Sequence, residues 1–476
     1  MWEKSGVFKP QIGDRPQFSI IMPPPNANGE LHLGHATFVA VSDVLIRYHR
    51  MLGDPSLWLP GVDHAGILTQ VTFEKKLLKE HGKTRHDLGR EEFYRQCYQF
   101  CLDNKYLMEN QMRALGSSCD WSREKFTLDP EISQLVFETF VKMHREGLIY
   151  RGYRIVNWCP RCRSTLSDLE TEEKEQTDKL YFLNYGPVTI ATARPETIFA
   201  DVAIAVNPQD KKYKDLVGKK AIVPLVDREI PIIADEAVDM AFGTGALKVT
   251  PGHDQLDYEI GQRHQLSTLV VIDFDGRMSG EIPDQIKGMK VNQARESTLE
   301  MLNQSGKLVK TEALAHTLKT CERCGTTIEP LVSRQWFVKI KSLAEAAIKA
   351  VESGQVKIVP NKYEAMYFSW MRQIKDWPIS RQLWWGHQLP VWYNKTDQKT
   401  PQQLREFELL KTGDARARTD ILENPVISIS QPQEKGEFIQ DPDTLDTWFS
   451  SGQWPVNTLK TSEPNDFDHF YPTSVM

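Results

Sequence analysis

Residues 23–35 read PPPNANGELHLGH, and this stretch decides the fold of the chain around it. It follows an apolar run, FSIIM at 18–22, which predicts a buried strand. It precedes a predicted helix with apolar residues at the spacing of one face, at Ala36, Val39, Ala40, Val44, Tyr48 and Met51. Because the first backbone N–H groups of a helix lack partners within it, a strand, a turn and a helix start form an anion site. Two histidines one turn apart, His32 and His35, add donors for a phosphate, so the pattern predicts a nucleotide enzyme.

The histidine pair resembles the HIGH signature of class I aminoacyl-tRNA synthetases. GVDHAGI at 61–67 follows a second strand candidate at 56–59 and resembles the corresponding element of the valyl enzymes. The resemblance continues through WSR at 121–123 and EGLIYR at 146–151, and almost without a break to the C-terminus. It implies a valine–tRNA ligase, which activates valine with ATP and Mg²⁺, transfers it to tRNA(Val) and hydrolyses threonyl-tRNA(Val).

Composition sets broad limits on the class of protein. A chain of 476 residues exceeds one typical core, so two or three domains are expected. Hydrophobic residues make up 40% and charged residues 26%, which is ordinary for a soluble globular protein. No apolar run reaches the ~18 residues of a membrane span, and the N-terminus lacks a secretory pattern, so no membrane partner and a cytoplasmic location are expected. The formal net charge of −6 neither supports nor excludes tRNA as a partner.

The predicted type of secondary structure changes twice along the chain. Strand-like runs alternate with helical ones, such as 91–115 and 130–146, before short β-rich runs, such as 180–183 and 269–272, take over. We therefore predict an α/β fold, an incomplete Rossmann-like catalytic domain with an inserted β-rich domain. Its parts are the first half of the catalytic domain (1–158), a zinc-binding junction (159–175 and 318–332), the inserted editing domain (176–317) and the continuation of the catalytic domain (333–476), within which 394–437 is expected to be a peripheral insertion or long loop.

Two cysteine pairs bracket the β-rich insert. CPRC at 159–162 and CERCG at 321–325 each have the spacing of a zinc knuckle. The thiolates of Cys159, Cys162, Cys321 and Cys324 satisfy a closed tetrahedral site, so we predict structural Zn²⁺ that clamps the two ends of the insert together. The alternative is two unrelated pairs of buried or oxidised thiols, although disulfides are disfavoured inside cells.

The resemblance also implies roles in amino-acid activation, in which a carboxylate joins the α-phosphate of ATP. It implies that His32 and His35 are catalytic. It also implies that these two histidines bind ATP together with Asn26, Gly29 and Gly34. Asp63 is expected to bind the α-ammonium group, with the start of a helix as its alternative role. The expected walls of the side-chain pocket are Pro25, Trp385 and Trp448, the tryptophans lying in ISRQLWWGH at 379–387 and DTWFSS at 446–451. Because Asn28 stands where valyl enzymes usually carry threonine, isoleucine stays open as the cognate amino acid.

Two motifs of the insert resemble the valyl editing pocket, TARPET at 192–197 and FGTGALKVTPGHDQLD at 242–257. Threonine is an isostere of valine, and the discrimination of only ~10² known for valyl enzymes requires a second, hydrolytic site. The resemblance implies that Asp254 or Asp257 binds the α-ammonium group and that Phe242 packs on the adenine or the substrate. It places Arg194, Thr197, Lys248 and Thr250 around the ribose and the ester. The alternative for the two carboxylates is a turn with solvated side chains.

Family elements expected after residue 476 are absent from the sequence. No KMSKS-like loop and no anticodon-binding domain follow, so aminoacylation by this chain alone is expected to be inefficient. Three interpretations therefore stay open. The chain is the N-terminal part of a synthetase whose C-terminal partner chain supplies the rest, a trans-acting editing deacylase, or an inactive tRNA-binding fragment.

Overall fold

The computed structural model describes residues 2–411 and 419–475. The chain divides into two compact units, unit 1 with Met1–Tyr150 and Trp336–Met476, and unit 2 with Arg151–Gln335. Segments 159–175, 176–317 and 318–332 all lie inside unit 2.

The α-helices of the described residues are, in chain order, α1 (Trp2–Ser5), α2 (Leu33–Leu52), α3 (Gly66–His81), α4 (Arg85–Leu88), α5 (Arg90–Ala114), α6 (Pro130–Arg145), α7 (Gln255–Arg263), α8 (Val291–Gln304), α9 (Lys341–Glu352), α10 (Glu364–Gln373), α11 (Pro401–Lys411), α12 (Thr447–Ser451), α13 (Trp454–Thr461) and α14 (Asp466–Phe470). The helices predicted at 91–115 and 130–146 are confirmed as α5 and α6. Within the described ranges, no helix is both long enough and apolar enough to cross a membrane.

The strands are β1 (Phe18–Ile21), β2 (Ser56–Leu59), β3 (Gly61–Val62), β4 (Lys125–Phe126), β5 (Ile149–Cys159), β6 (Ser164–Leu166), β7 (Thr171–Asn184), β8 (Thr189–Thr192), β9 (Ala203–Val206), β10 (Lys220–Val223), β11 (Arg228–Ala234), β12 (Ala246–Val249), β13 (Leu308–Cys321), β14 (Glu329–Val338), β15 (Trp377–Pro378), β16 (Ser380–Arg381), β17 (Val391–Asn394), β18 (Val426–Ile427), β19 (Phe438–Gln440) and β20 (Thr444–Leu445).

Unit 1 is a mixed α/β structure with parallel strands. β1 and β2 pair in parallel from Phe18↔Ser56 to Ile21↔Leu59, and α2 is the crossover between them. β3 and β4 form a second parallel pair. This β1–α2–β2 arrangement confirms the strand, turn and helix that were predicted from residues 18–52.

The buried face of α2 differs from the prediction. Val44, Tyr48 and Met51 are exposed, whereas Val39 and Ile46 are buried. The inward face also contains a polar residue, the half-buried Asp43, which accepts hydrogen bonds from the backbone N–H and hydroxyl of Ser118 (2.8 and 2.5 Å). The spacing of apolar residues alone cannot reveal a polar side chain that faces inward because its hydrogen bonds are satisfied there.

The segment 394–437, expected to be an insertion or long loop, contains a helix. Residues 401–411 form α11, which is anchored by the fully buried Phe407, so the loop prediction is wrong there. Residues 412–418 of the same segment lie outside the described residues.

Unit 2 is β-rich, as the short strand-like runs in its sequence predicted. One sheet has the order β10-β11-β9-β12, with β11 and β9 parallel and the other pairs antiparallel. A second sheet has the order β13-β7-β8, in which β7 and β13 form a long antiparallel ribbon. The strand predicted at 269–272 is wrong: Val271 donates its backbone N–H to His253 Nε2 (2.8 Å), and Ile272 makes only an isolated bridge.

A glycine in unit 1 marks a close approach of two elements. A Cβ on Gly61 in β3 would overlap the ring of Trp454 and lie 3.0 Å from the carbonyl oxygen of Lys125. We expect Gly61→Ala to lower the free energy of unfolding of unit 1 by about 1–3 kcal/mol, as overpacking does. Urea denaturation followed by tryptophan fluorescence measures this loss. Gly13→Ala is the matched control, since its Cβ meets no described heavy atom within 4 Å; equal stability of the two variants would contradict the prediction.

Candidate functional site

The first candidate site lies at the start of α2 in unit 1. His32 is the N-cap, and its Nδ1 accepts the backbone N–H of Gly34 (3.1 Å). His35 Nδ1 in turn accepts the backbone N–H of His32 (3.2 Å). The two rings lie 4.0 Å apart, and burial together with the neighbouring His32 lowers the pKa of His35. The histidines predicted to bind phosphate thus cap the helix end that would bind it.

The turn before α2 is tied to Asp63. The backbone N–H of Asp63 donates to the carbonyl of Pro25 (2.8 Å), and that of Ala27 donates to the carbonyl of Asp63 (2.8 Å). Pro25 is buried and Asn26 exposed, while a Cβ on Gly29 would meet open space. A Cβ on Gly34 would lie 2.9 Å from the His32 ring, so Gly34 lets that ring fold over the helix end.

Asp63 is a buried carboxylate with several partners. Its Oδ1 accepts the backbone N–H of Ala65 (2.8 Å) and lies 3.1 Å from His64 Nδ1, while its Oδ2 accepts the hydroxyl of Ser451 (2.6 Å). Burial raises its pKa, but the hydrogen bonds from His64, Ser451 and Ala65 outweigh burial, so the pKa is lowered. The N-cap of α3 is Ala65, so the alternative role of Asp63 at that helix start is wrong.

The structure separates the two predicted pocket tryptophans by their burial. Trp385 is fully buried, and its Nε1 donates to the carbonyl of His64 (2.8 Å). Trp448 is 59% exposed on α12, the helix whose Ser451 contacts Asp63. Sequence reasoning missed Ser451 and His64, although both lie inside the motifs that drew attention to their neighbours.

The second candidate site is a cleft of about 1930 Å³ in unit 2. All the residues predicted to form the editing pocket line it, namely Arg194, Thr197, Phe242, Lys248, Thr250, Asp254 and Asp257. Lys248 projects from β12, and TARPET forms the end of β8 and a short 3₁₀ helix at Pro195–Ala200. Phe242 is 51% exposed and lines the cleft.

Lys248 is the centre of a buried polar network. Its ammonium donates to the hydroxyl oxygens of Thr197 (3.0 Å) and Thr250 (2.5 Å), and to Asp201 Oδ1 (3.2 Å). Thr250 donates its hydroxyl to the same Asp201 oxygen (2.6 Å), and Tyr185 donates to Asp201 Oδ2 (2.6 Å). Burial raises the pKa of Asp201, although Lys248, Thr250 and Tyr185 each act to lower it.

Asp257 and Asp254 have different environments. Asp254 is exposed and is the N-cap of α7, where it accepts the backbone N–H of Asp257 (3.1 Å). Asp257 is 4% exposed, so the interpretation as a solvated side chain is wrong for it. Its Oδ2 accepts the backbone N–H of Thr250 (2.8 Å), while its Oδ1 is buried without a hydrogen-bond partner among the described residues. Burial and the nearby Asp254 raise the pKa of Asp257 to about 8.

Arg194 is held by two carboxylates at the cleft. Its guanidinium donates to Glu196 (3.0 Å) and Glu329 (2.6 Å). Arg295 donates to both oxygens of Glu196 (2.9 and 3.0 Å), and together the two arginines lower the pKa of Glu196 against the effect of its burial. Sequence reasoning missed these supports, as it did Asp201 and Tyr185; only Glu196 lay within a quoted motif.

The four predicted metal ligands come together in unit 2. The Sγ atoms of Cys159, Cys162, Cys321 and Cys324 all lie within 4.8 Å of one another. Each pair turns as a knuckle does, with Arg163 and Gly325 at positive φ just after the second cysteine. Four thiols at such separations suit a tetrahedral ion with Zn–S bonds of ~2.3 Å, so the cluster is compatible with zinc.

The raised pKa of Asp257 predicts a pH-dependent stability. The ordinary value is 3.8 and the folded value about 8, so the contribution of the neutral carboxyl is complete below pH 3.8 and lost as the pH rises through 8. Asp257→Asn stays neutral. The wild type should therefore lose stability relative to this variant between about pH 5 and pH 8, by at most ~1.4 kcal/mol per pH unit. Urea unfolding of both proteins at pH 5 and pH 8 measures this difference in stability. Asp215→Asn, at an exposed carboxylate, is the control. The prediction is contradicted if wild type and Asp257→Asn change in parallel with pH, or if Asp215→Asn has an equally large effect.

Comparison with known proteins agrees with the motifs. The family model described as tRNA synthetases class I (I, L, M and V) matches residues 1–476. Proteins named valine–tRNA ligase are similar over the whole chain, with 46% identity for that of Carboxydothermus hydrogenoformans (52% of its length), 47% for Thermus thermophilus (54%) and 45% for Thermotoga maritima (53%). The chain spans about half the length of these relatives. It belongs to the class I tRNA synthetases of the I, L, M and V group.

Proposed function

We propose that this chain carries the amino-acid activation site and the proofreading site of a cytoplasmic valine–tRNA ligase. Its substrates would be valine, ATP with Mg²⁺ and tRNA(Val), and its editing substrate threonyl-tRNA(Val). The observation that carries the proposal is the cleft of unit 2, which is lined by every residue assigned to editing by its motifs. The name shared by the similar proteins supports it.

Activation would take place at the start of α2. A helix N-terminus favours anions, and His32 and His35 add donors where charge develops on the phosphates of ATP. Asp63 is charged and tied to the same turn, so it would hold the α-ammonium group of valine near these phosphates. Trp385 and the buried Pro25 would border the side chain, and Trp448 would cover it from α12.

Editing would use the cleft of unit 2. The unpartnered oxygen of Asp257 offers an acceptor to the α-ammonium group, whose positive charge would favour loss of the carboxyl proton. The charge of Lys248 would stabilise the oxyanion that forms when water attacks the ester. A volume of about 1930 Å³ holds far more than an aminoacyl group, and the exposed Phe242 ring suits stacking of a terminal adenine.

Hydrolysis of preformed threonyl-tRNA(Val) tests the editing proposal. We expect the 476-residue chain to hydrolyse this ester faster than valyl-tRNA(Val), and Asp257→Ala to slow the reaction ~10²-fold because the buried partner of the ammonium group is lost. Asp215→Ala, which removes an exposed carboxylate outside the cleft, should keep the wild-type rate. Equal hydrolysis of the two esters by folded protein would exclude threonine editing.

A trans-acting deacylase is a second candidate, because the cleft lies within unit 2 alone. The two functions differ in whether the chain also binds valine and ATP. Isothermal titration with a valyl-adenylate analogue separates them: binding that is lost in Asp63→Asn supports the ligase, and no binding supports the deacylase. The relatives named valine–tRNA ligase are about twice as long, so ligase activity would also depend on what they contain beyond the matched half.

We also propose that the cysteine cluster binds one structural Zn²⁺. Cys162→Ser should lower the zinc content from one equivalent to near zero, as measured by mass spectrometry of dialysed protein, and should lower the melting temperature of unit 2. Cys101→Ser is the matched control, since that thiol lies in unit 1 and donates to the carbonyl of Ala27 (3.4 Å), which a serine hydroxyl replaces. Full zinc content in the Cys162 variant would refute a four-thiolate site.

A further inference from the structure

The ammonium group of Lys248 has all three of its N–H donors committed within the protein. They point to Thr197 Oγ1, Thr250 Oγ1 and Asp201 Oδ1, at 3.0, 2.5 and 3.2 Å. Both threonine hydroxyls donate to other acceptors of the protein, Thr197 to the carbonyl of Arg194 (3.0 Å) and Thr250 to Asp201 Oδ1 (2.6 Å). The orientation of the ammonium group is therefore determined, and Lys248 offers the cleft its charge rather than a free N–H.

Asp201 is the carboxylate that accepts from the Lys248 ammonium, and it lies behind Lys248 as seen from the cleft. It is fully buried, and the described residues that line the cleft include Lys248 but not Asp201. Its Oδ1 accepts from Lys248 and Thr250, and its Oδ2 accepts the phenol of the fully buried Tyr185 (2.6 Å). Its carbonyl also accepts from the Arg228 guanidinium (2.9 Å), which fixes the backbone. Tyr185, Thr250 and Arg228 thus hold Asp201 where it accepts from Lys248.

We infer that Asp201 is a positioning residue of the editing site, which keeps the Lys248 ammonium charged and fixed at the cleft, and that Tyr185 holds Asp201 in place. The part of this inference that concerns catalysis rests on the proposed editing function, whereas the effect of Asp201 on the charge of Lys248 does not. A buried ammonium without a carboxylate partner favours the neutral amine, because the interior stabilises an isolated charge poorly. The neutral amine would neither stabilise an oxyanion nor keep the two threonines in their present hydrogen bonds.

The test compares three variants of the full 476-residue chain. Asp201→Asn removes the charge, and Tyr185→Phe removes only one hydrogen bond while keeping the ring in the core. Glu229→Gln is the matched control, because Glu229 pairs with Lys220 on strands β10 and β11 and neither residue lines the cleft. Besides Asp201, the titratable groups that face Lys248 include Asp257 and His253, and all three variants leave these two unchanged.

The first readout does not require editing activity. Competitive acetylation with trace acetic anhydride near pH ~8, followed by mass spectrometry, gives the reactivity of Lys248 relative to the other lysines. Because only the neutral amine reacts, we expect the reactivity of Lys248 to rise ~10-fold or more in Asp201→Asn and a few-fold in Tyr185→Phe. Glu229→Gln should leave it unchanged. Unchanged Lys248 reactivity in a folded Asp201→Asn protein would overturn the inference; if that variant does not fold, the result for Tyr185→Phe decides.

The second readout is the deacylation of threonyl-tRNA(Val). We expect kcat to fall ~10²-fold in Asp201→Asn with little change in KM, since Asp201 does not touch the substrate. A rise in KM at constant kcat would overturn the positioning role. If wild type shows no deacylation while Lys248 reactivity rises as expected, the editing function fails and the charge-holding contact stands.

Discussion

Two backbone hydrogen bonds between residues 25–27 and Asp63 hold the site of unit 1 together. Through these two bonds, Asn26 in the turn after β1 forms a parallel bridge with Asp63, which follows β3. The turn that leads into α2 is thereby tied directly to Asp63, so a helix end that favours anions and a buried carboxylate are connected through the backbone. In the proposed activation reaction an amino acid and a phosphate must be bound at the same time, and these two backbone bonds would keep their binding groups in a fixed relation.

The two buried aspartates assigned to ammonium binding differ in charge state for a physical reason. Asp63 has hydrogen bonds from Ala65, Ser451 and its neighbour His64, and these lower its pKa despite burial. Asp257 has one backbone donor and a neighbouring carboxylate, so burial dominates and its pKa is raised to about 8. The number of donors around each carboxylate thus decides whether the protein itself stabilises the charged form, as at Asp63, or favours the neutral form, as at Asp257.

The sequence predicted the elements with strong local signals and missed those that depend on distant contacts. The strand, turn and helix around His32, both long helices and the meeting of four cysteines followed from periodicity and spacing. The buried face of α2 did not, because Asp43 points inward to Ser118, on a distant part of the chain.

The same limit applies to the candidate site. The residues that line the cleft lie in two compact motifs, but Tyr185 and Glu329 meet them only through the fold of unit 2. Trp385 and Trp448 carried equal motif support, yet one is core and the other is exposed. Residue type and spacing cannot distinguish these outcomes, since burial is set by the neighbours that tertiary packing provides.

The cysteine cluster brings together the two ends of the segment that lies between its knuckles. Its sulfur atoms lie within 4.8 Å of one another, so the polypeptide that departs after Cys162 returns at Cys321. A segment whose ends meet can be gained, exchanged or lost as a block, since the flanking chain needs only a short turn to close the gap. The knuckles therefore bracket residues 163–320, which lie inside unit 2, as a segment whose length could change without altering the path of the chain on either side.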